Sequence, residues 1–152
     1  MADDTPDICA KLVIYSVYVR NHGPNGTFAD VEDDLPRIRS MGADAVWLMP
    51  IHPIGKDGRK GSLGSPYSIS DYRGVNPEYG TRDDFGRLIE RCHSLSLKVM
   101  IDVVYNHTSR DSALIREHPE FFHMDARGFC NGSRDRACCV VGSTDVLWVQ
   151  LR

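Results

Sequence analysis

An α/β fold built on a parallel sheet is predicted by three features of the chain. Short runs rich in β-branched and aromatic residues recur at Leu12 to Val19, Ala45 to Met49 and Val99 to Val104. Between successive runs lies a segment with helical apolar spacing, so strand and helix alternate from the start. The third run is continuously apolar except for Asp102 and ends abruptly in Tyr105, Asn106, His107 and Thr108. In parallel α/β folds ligands bind beyond the carboxyl ends of the strands, so this polar group stands where a site is expected.

The elements follow in order. Residues 1–10 read as a disordered leader with three Asp and no apolar core. Leu12 to Val19 is the first strand, closed by the turn-forming cluster Asn21 to Gly26. A helix follows, with Leu35, Ile38 and Met41 on one face. Asp33 or Asp34 is its expected cap, with Pro36 tolerated only near the first turn and Gly42 the natural stop. The second strand, Ala45 to Met49, is closed by Pro50 and Pro53. Strand, helix and strand in succession imply a crossover and a parallel pair. Gly55 to Asn76 shows no periodicity and reads as a long surface loop, and loops of that length inside a domain are usually functional. Thr81 caps a second helix, with Asp83 and Asp84 in its first turn and Phe85, Leu88, Ile89 and Cys92 as its apolar stripe. That helix feeds the third strand. An unpaired carboxylate inside a strand is costly, so Asp102 is expected to be paired or functional.

Composition narrows the partners. A chain of 152 residues, 41% hydrophobic and 26% charged, has the makeup of one globular domain. The net charge of -3, with acids and bases interspersed, offers no footprint for nucleic acid and no basic amphipathic helix for a membrane. The N-terminus lacks a signal-peptide pattern and no apolar run reaches about 18 residues, so a cytoplasmic chain is expected. Five cysteines without a CxxC pair indicate neither a zinc site nor a disulfide framework. The sequons at Asn25, Asn106 and Asn131 read as chance.

Several blocks in sequence then resemble one family. DVVYNHTS, MGADAVWLMPIHPIG, GSPYSISDYRGVNPEYGTRDDFGRLI and REHPEFF are similar, in order and at family spacing, to blocks of the α-amylase family of glycoside hydrolases. The resemblance covers about residues 11–129. It implies a (β/α)8 TIM barrel, here incomplete, about the first three β/α units, followed by an atypical tail over 130–152. It also implies a retaining mechanism in the intact enzyme and a role in carbohydrate metabolism, with an α-linked oligosaccharide or glucan as the partner. KGSLGSPY and DVVYNHT are more similar to bacterial oligosaccharide-acting and trehalose-metabolising members than to animal amylases.

Residue roles carry over where the motifs match. Tyr67 resembles the tyrosine that stacks on the sugar beside the cleaved bond, a task suited to a flat amphipathic ring. His107 resembles the histidine that hydrogen-bonds a hydroxyl of that sugar, and Asp102 the aspartate that supports the site from the third strand. Asn106 matches an asparagine that binds calcium in many members. A calcium site takes six or more oxygens and only this one is named, so tight calcium binding is not expected, and no other cofactor is implied. His52 and Asp71 lie in matching blocks, where Asp71 is also read as a brace for the loop.

The resemblance places the family's nucleophile on the fourth strand in a G-x-R-x-D pattern, its acid/base Glu on the fifth and a further Asp on the seventh. None is found in this chain. Gly132 to Asp135 mimics the pattern but brings its Asp one position early and follows no apolar strand. From Cys130 the text becomes CNGSRDRACCVVGSTDVLWVQLR, with three of the five cysteines and two Asp as its only acids. One account is a genuine terminus in which Val146 to Leu151 adds a strand; an altered reading frame is the favoured account. A complete barrel takes about 250 residues. A partial one exposes sheet edges and should be marginal, prone to aggregation or self-associated. The expectation is therefore a fragment of an α-glucan-acting glycoside hydrolase, inactive alone. The alternative is a non-catalytic carbohydrate-binding or interaction module. A doubly wound nucleotide binder is disfavoured, because no G-x-G-x-x-G follows the first strand.

Overall fold

The computed structural model describes residues 11–59, 61–123, 137–139 and 149–150. The leader over 1–10, the Gly132 to Asp135 mimic and most of the tail lie outside the described residues. Three parallel strands form the body: β1 (Ile14–Val17), β2 (Ala45–Leu48) and β3 (Lys98–Ile101), joined by helices α1 (Phe28–Ser40) and α2 (Arg82–Ser94). Their register aligns Ile14, Ala45 and Lys98, and ends with Val17, Leu48 and Ile101 side by side. β4 (His107–Ser109) and α3 (Ala113–Glu117) follow, and β4 pairs antiparallel with β5 (Ala137–Cys139). β6 (Val149–Gln150) adds to β3 in the antiparallel sense, within the run Val146 to Leu151 where a strand was one of the two expectations.

Strand periodicity sorts the sheet into two unequal faces. Val17, Val46, Leu48 and Val99 point to one side and share a buried cluster with Phe28, Val31, Leu35 and Ile38 of α1 and Leu88 and Cys92 of α2. Phe28 is wholly buried between the rings of Tyr79 and Phe85, 6.0 and 5.4 Å away between centroids. The other face carries Ile14, Ser16, Trp47 and Met100. Ile14 is 46% exposed and Ser16 is exposed, with Trp47 and Met100 half-buried. In a closed barrel this face is filled by layers of side chains from the remaining strands.

Helix α2 starts where its sequence says. Thr81 accepts from Asp84 N–H at 3.1 Å while Asp84 accepts from Thr81 N–H at 2.7 Å, a reciprocal cap. Helix α1 corrects two expectations. Its cap is Thr27, with Asp30 completing the same device, rather than Asp33 or Asp34. Pro36 then falls in the helix interior, not the first turn. An interior proline costs about 3 kcal/mol; here it sits on the exposed face, and burial of Val31, Leu35 and Ile38 on the opposite side outweighs the missing bond. Gly42, at φ +90°, closes the helix as expected.

Two further corrections concern the loops. The loop Gly55 to Asn76 is not merely a surface connection: Ile69 and Asn76 are buried, and Ile69 bridges antiparallel to Ile54 just before it. Asp102 lies one residue past the end of β3 instead of inside it, although its N–H still extends the ladder to Leu48 O at 2.8 Å.

The open sheet face predicts a measurable property. The native chain should bind an apolar dye such as anilinonaphthalene sulfonate and melt over a broad range; a sharp, cooperative melt of a monomer that binds no dye would contradict it.

Candidate functional site

The polar groups collect at the carboxyl ends of the three parallel strands. Two arginines shape the segment after β2. Arg59 donates to Gly55 O and Ile54 O, each at 2.9 Å, and to Ser62 O at 3.0 Å. Arg20, in the turn after β1, donates to Leu63 O at 3.1 Å, Gly64 O at 3.2 Å and Glu78 at 2.9 Å. Between them the loop turns back, so that Tyr67 approaches the end of β3.

Tyr67 and Asp102 are brought together. The phenol donates to Asp102 Oδ2 at 2.9 Å, and both side chains are half-buried. Asp102 is therefore a paired carboxylate, held at the strand edge by its own backbone bond to Leu48 and by a ring from the preceding loop. His107 stands apart from that pair: its side-chain hydrogen bond runs to Asn106, Nδ2 to Nδ1 at 3.4 Å. Asn106 is exposed, and among the described residues no three His, Cys, Asp or Glu side chains converge as metal ligands.

His52 and Asp71 brace the loop. His52 is 8% exposed with Nδ1 3.0 Å from Gly74 O, and Asp71 Oδ1 accepts from Arg73 N–H at 2.8 Å. Asp111, beyond β4, accepts from the N–H groups of Lys56 and Asp57 at 2.7 and 3.3 Å. Burial pushes its carboxyl up, but those two donors and Ser109 outweigh burial and hold it below the usual range. Sequence reasoning passed over Tyr72. Its hydroxyl lies 2.6 Å from Val104 O and 2.9 Å from His107 O, bridging the segment that carries the site. The signal for it was an aromatic ring in a loop rich in Gly, Ser, Pro and charged residues.

This geometry, a parallel βα series with an aromatic ring and a carboxylate at the strand ends, is that of an α/β barrel enzyme's mouth. The chain belongs to the alpha-amylase family: the family model for the alpha-amylase catalytic domain matches residues 4–136. Among solved structures, an alpha-amylase from Lactobacillus plantarum superposes with a TM-score of 0.82 at 53% identity, covering 85% of this chain and 31% of that one. A noncanonic maltogenic alpha-amylase from Thermotoga neapolitana gives 0.81 at 40% identity, with the same coverage of 85% and 31%. An alpha-1,4-glucan:maltose-1-phosphate maltosyltransferase from Cereibacter sphaeroides is 42% identical over 112 residues, 64% of this chain and 19% of that protein. The chain thus spans about a fifth of the length of that curated relative. The expectation of an incomplete (β/α)8 barrel holds, with three parallel strands and two crossover helices in place.

The two phenols yield a pH prediction. Burial first, then the bond to Asp102, pushes Tyr67 from 10.0 up to about 12. Burial likewise pushes Tyr72 up to about 12. A value raised in the folded state favours the neutral phenol, so the stability it contributes is complete below pH 10.0 and lost as pH rises to about 12. Spectrophotometric titration should show a late tyrosinate signal that diminishes in both Tyr67→Phe and Tyr72→Phe. A late signal identical in the parent and both variants would refute the assignment.

Proposed function

We propose that this chain is part of a retaining glycoside hydrolase or glycosyl transferase acting on α-linked glucans or oligosaccharides, and that it contributes one wall of the sugar site. The observation that carries the reading is the Tyr67 hydroxyl bonded to Asp102 at 2.9 Å on the strand edge where barrel enzymes bind substrate. In that wall the Tyr67 ring is a platform for a pyranose face, and Asp102 fixes the ring's hydroxyl and hence its tilt. His107 supplies a hydrogen bond to a sugar hydroxyl, which neutral imidazole can give or accept. The names of the relatives, amylases and a glucan maltosyltransferase, support the substrate class.

Retaining hydrolysis requires a nucleophile and an acid/base carboxyl about 5–5.5 Å apart. Among the described residues no strand carries a G-x-R-x-D to supply the first; the one match in the sequence, Gly80 to Asp84, opens helix α2. The chain by itself is therefore proposed to be inactive. That same observation keeps a second reading in play, a non-catalytic carbohydrate-binding module using the same wall.

Activity and binding assays separate these readings. The isolated chain is expected to show no turnover of starch, maltooligosaccharides or aryl α-glucosides. Clear activity abolished by replacing an acid within these residues would overturn the proposal. Weak maltotriose binding lost in Tyr67→Ala would support the sugar wall, and binding unaffected by that change would remove Tyr67 from it.

A further inference from the structure

We propose that Tyr72 is a positioning residue of this site: its hydroxyl gathers the two ends of the turn between β3 and β4 and thereby sets where His107 faces. The inference rests on the sugar-binding role proposed for His107.

The geometry is specific. Val104 O and His107 O, at the two ends of the turn, both lie within hydrogen-bond distance of a single oxygen, at 2.6 and 2.9 Å. A phenol has one proton to donate, so the two carbonyls share it or take it in turn. Either way the segment 104–107 is closed on one point, with Tyr105 and Asn106 exposed at its tip. Beyond the turn, His107 enters β4, whose partner strand holds its backbone from the other side. Thr108 and Ser109 are in turn anchored on Ile69 O, at 2.5 Å from Thr108 Oγ1 and 2.9 Å from Ser109 N. The His107 backbone therefore has its direction set by Tyr72 on one side and by β4 on the other.

Tyr72 can act as a fixed post because its own ring is restrained. Its ring lies 5.8 Å from that of buried His52, which bonds Gly74 O at 3.0 Å. Rotation of Tyr72 would have to displace this packed histidine. The loop after β2 thus sends two phenols across to β3: Tyr67 to the Asp102 carboxylate, Tyr72 to the backbone that presents His107. The first is itself a proposed substrate contact, and the second acts only through another residue.

The test uses the full chain. Proton–nitrogen correlation spectra of the imidazoles, with His107 assigned by its loss in His107→Gln, report the ring's environment without any sugar. Tyr72→Phe should move the His107 signals while leaving those of His22, paired with Asp34, and His93, in α2, in place. Maltotriose affinity should fall about 5-fold, the effect of one net hydrogen bond. His107 signals unchanged in a folded Tyr72→Phe would overturn the proposal, whatever happens to stability. Should that variant not fold, the parent decides. A Tyr72 hydroxyl proton protected from exchange and close to the His107 backbone supports the proposal, and its absence overturns it. A parent that binds no maltotriose defeats the sugar-binding reading alone, since the His107 signals still judge Tyr72.

Discussion

The pairing of β2 with β3 is the constraint on which the rest depends. Its register sets Leu48 beside Ile101 and carries the ladder one residue further, to the Asp102 N–H on Leu48 O. That last bond fixes a carboxylate at the sheet's rim when the strand itself has ended. A slip by one residue would exchange the two faces of β3, sending Val99 out of the helix-side core and Asp102 away from Tyr67. The core and the site are thus fixed by the same set of backbone bonds.

Much of the fold was legible because its signals are local. Thr81 and Asp84 announce α2 within four residues, and the Phe85, Leu88, Ile89 and Cys92 stripe says which side it buries. The start of α1 was misread because its local signals point the wrong way. Glu32, Asp33 and Asp34 look like a first turn and Pro36 like an N-terminal proline, but Phe28 and Val31 bury ahead of them and pull the helix back to Thr27. Tertiary packing overrode the composition of the turn.

The loop between β2 and α2 was illegible for a different reason. Ile69 is wholly buried, and its carbonyl accepts from Thr108 and Ser109, about forty positions along the chain. Arg20, Arg59 and Tyr72 act in the same way, each satisfying backbone carbonyls that no ladder reaches. Aperiodic backbone still needs donors for its buried carbonyls, and side chains distant in sequence supply them here. Such partners leave no periodicity to read, so Tyr67 was recognised through resemblance and Asp102 first through the cost of a carboxylate in an apolar run, while their bond and the Tyr72 bridge emerged only in three dimensions.

The same hydrogen bonds tie the long loop that carries Tyr67 and Tyr72 to the strand edge. A sugar wall must hold a ring at a fixed tilt, because stacking on a pyranose falls off as the faces separate. Tyr67 gains that tilt from a strand-anchored carboxylate across the rim. The opposite, open face of the sheet is a separate matter: Ile14, Trp47 and Met100 belong to packing that closes a barrel, and nothing at the rim depends on them directly. The ladder, the two phenols and the helix-side core lie together on the stretch between Ile14 and Ser109, so the proposed sugar wall is tied to the same backbone bonds as the core.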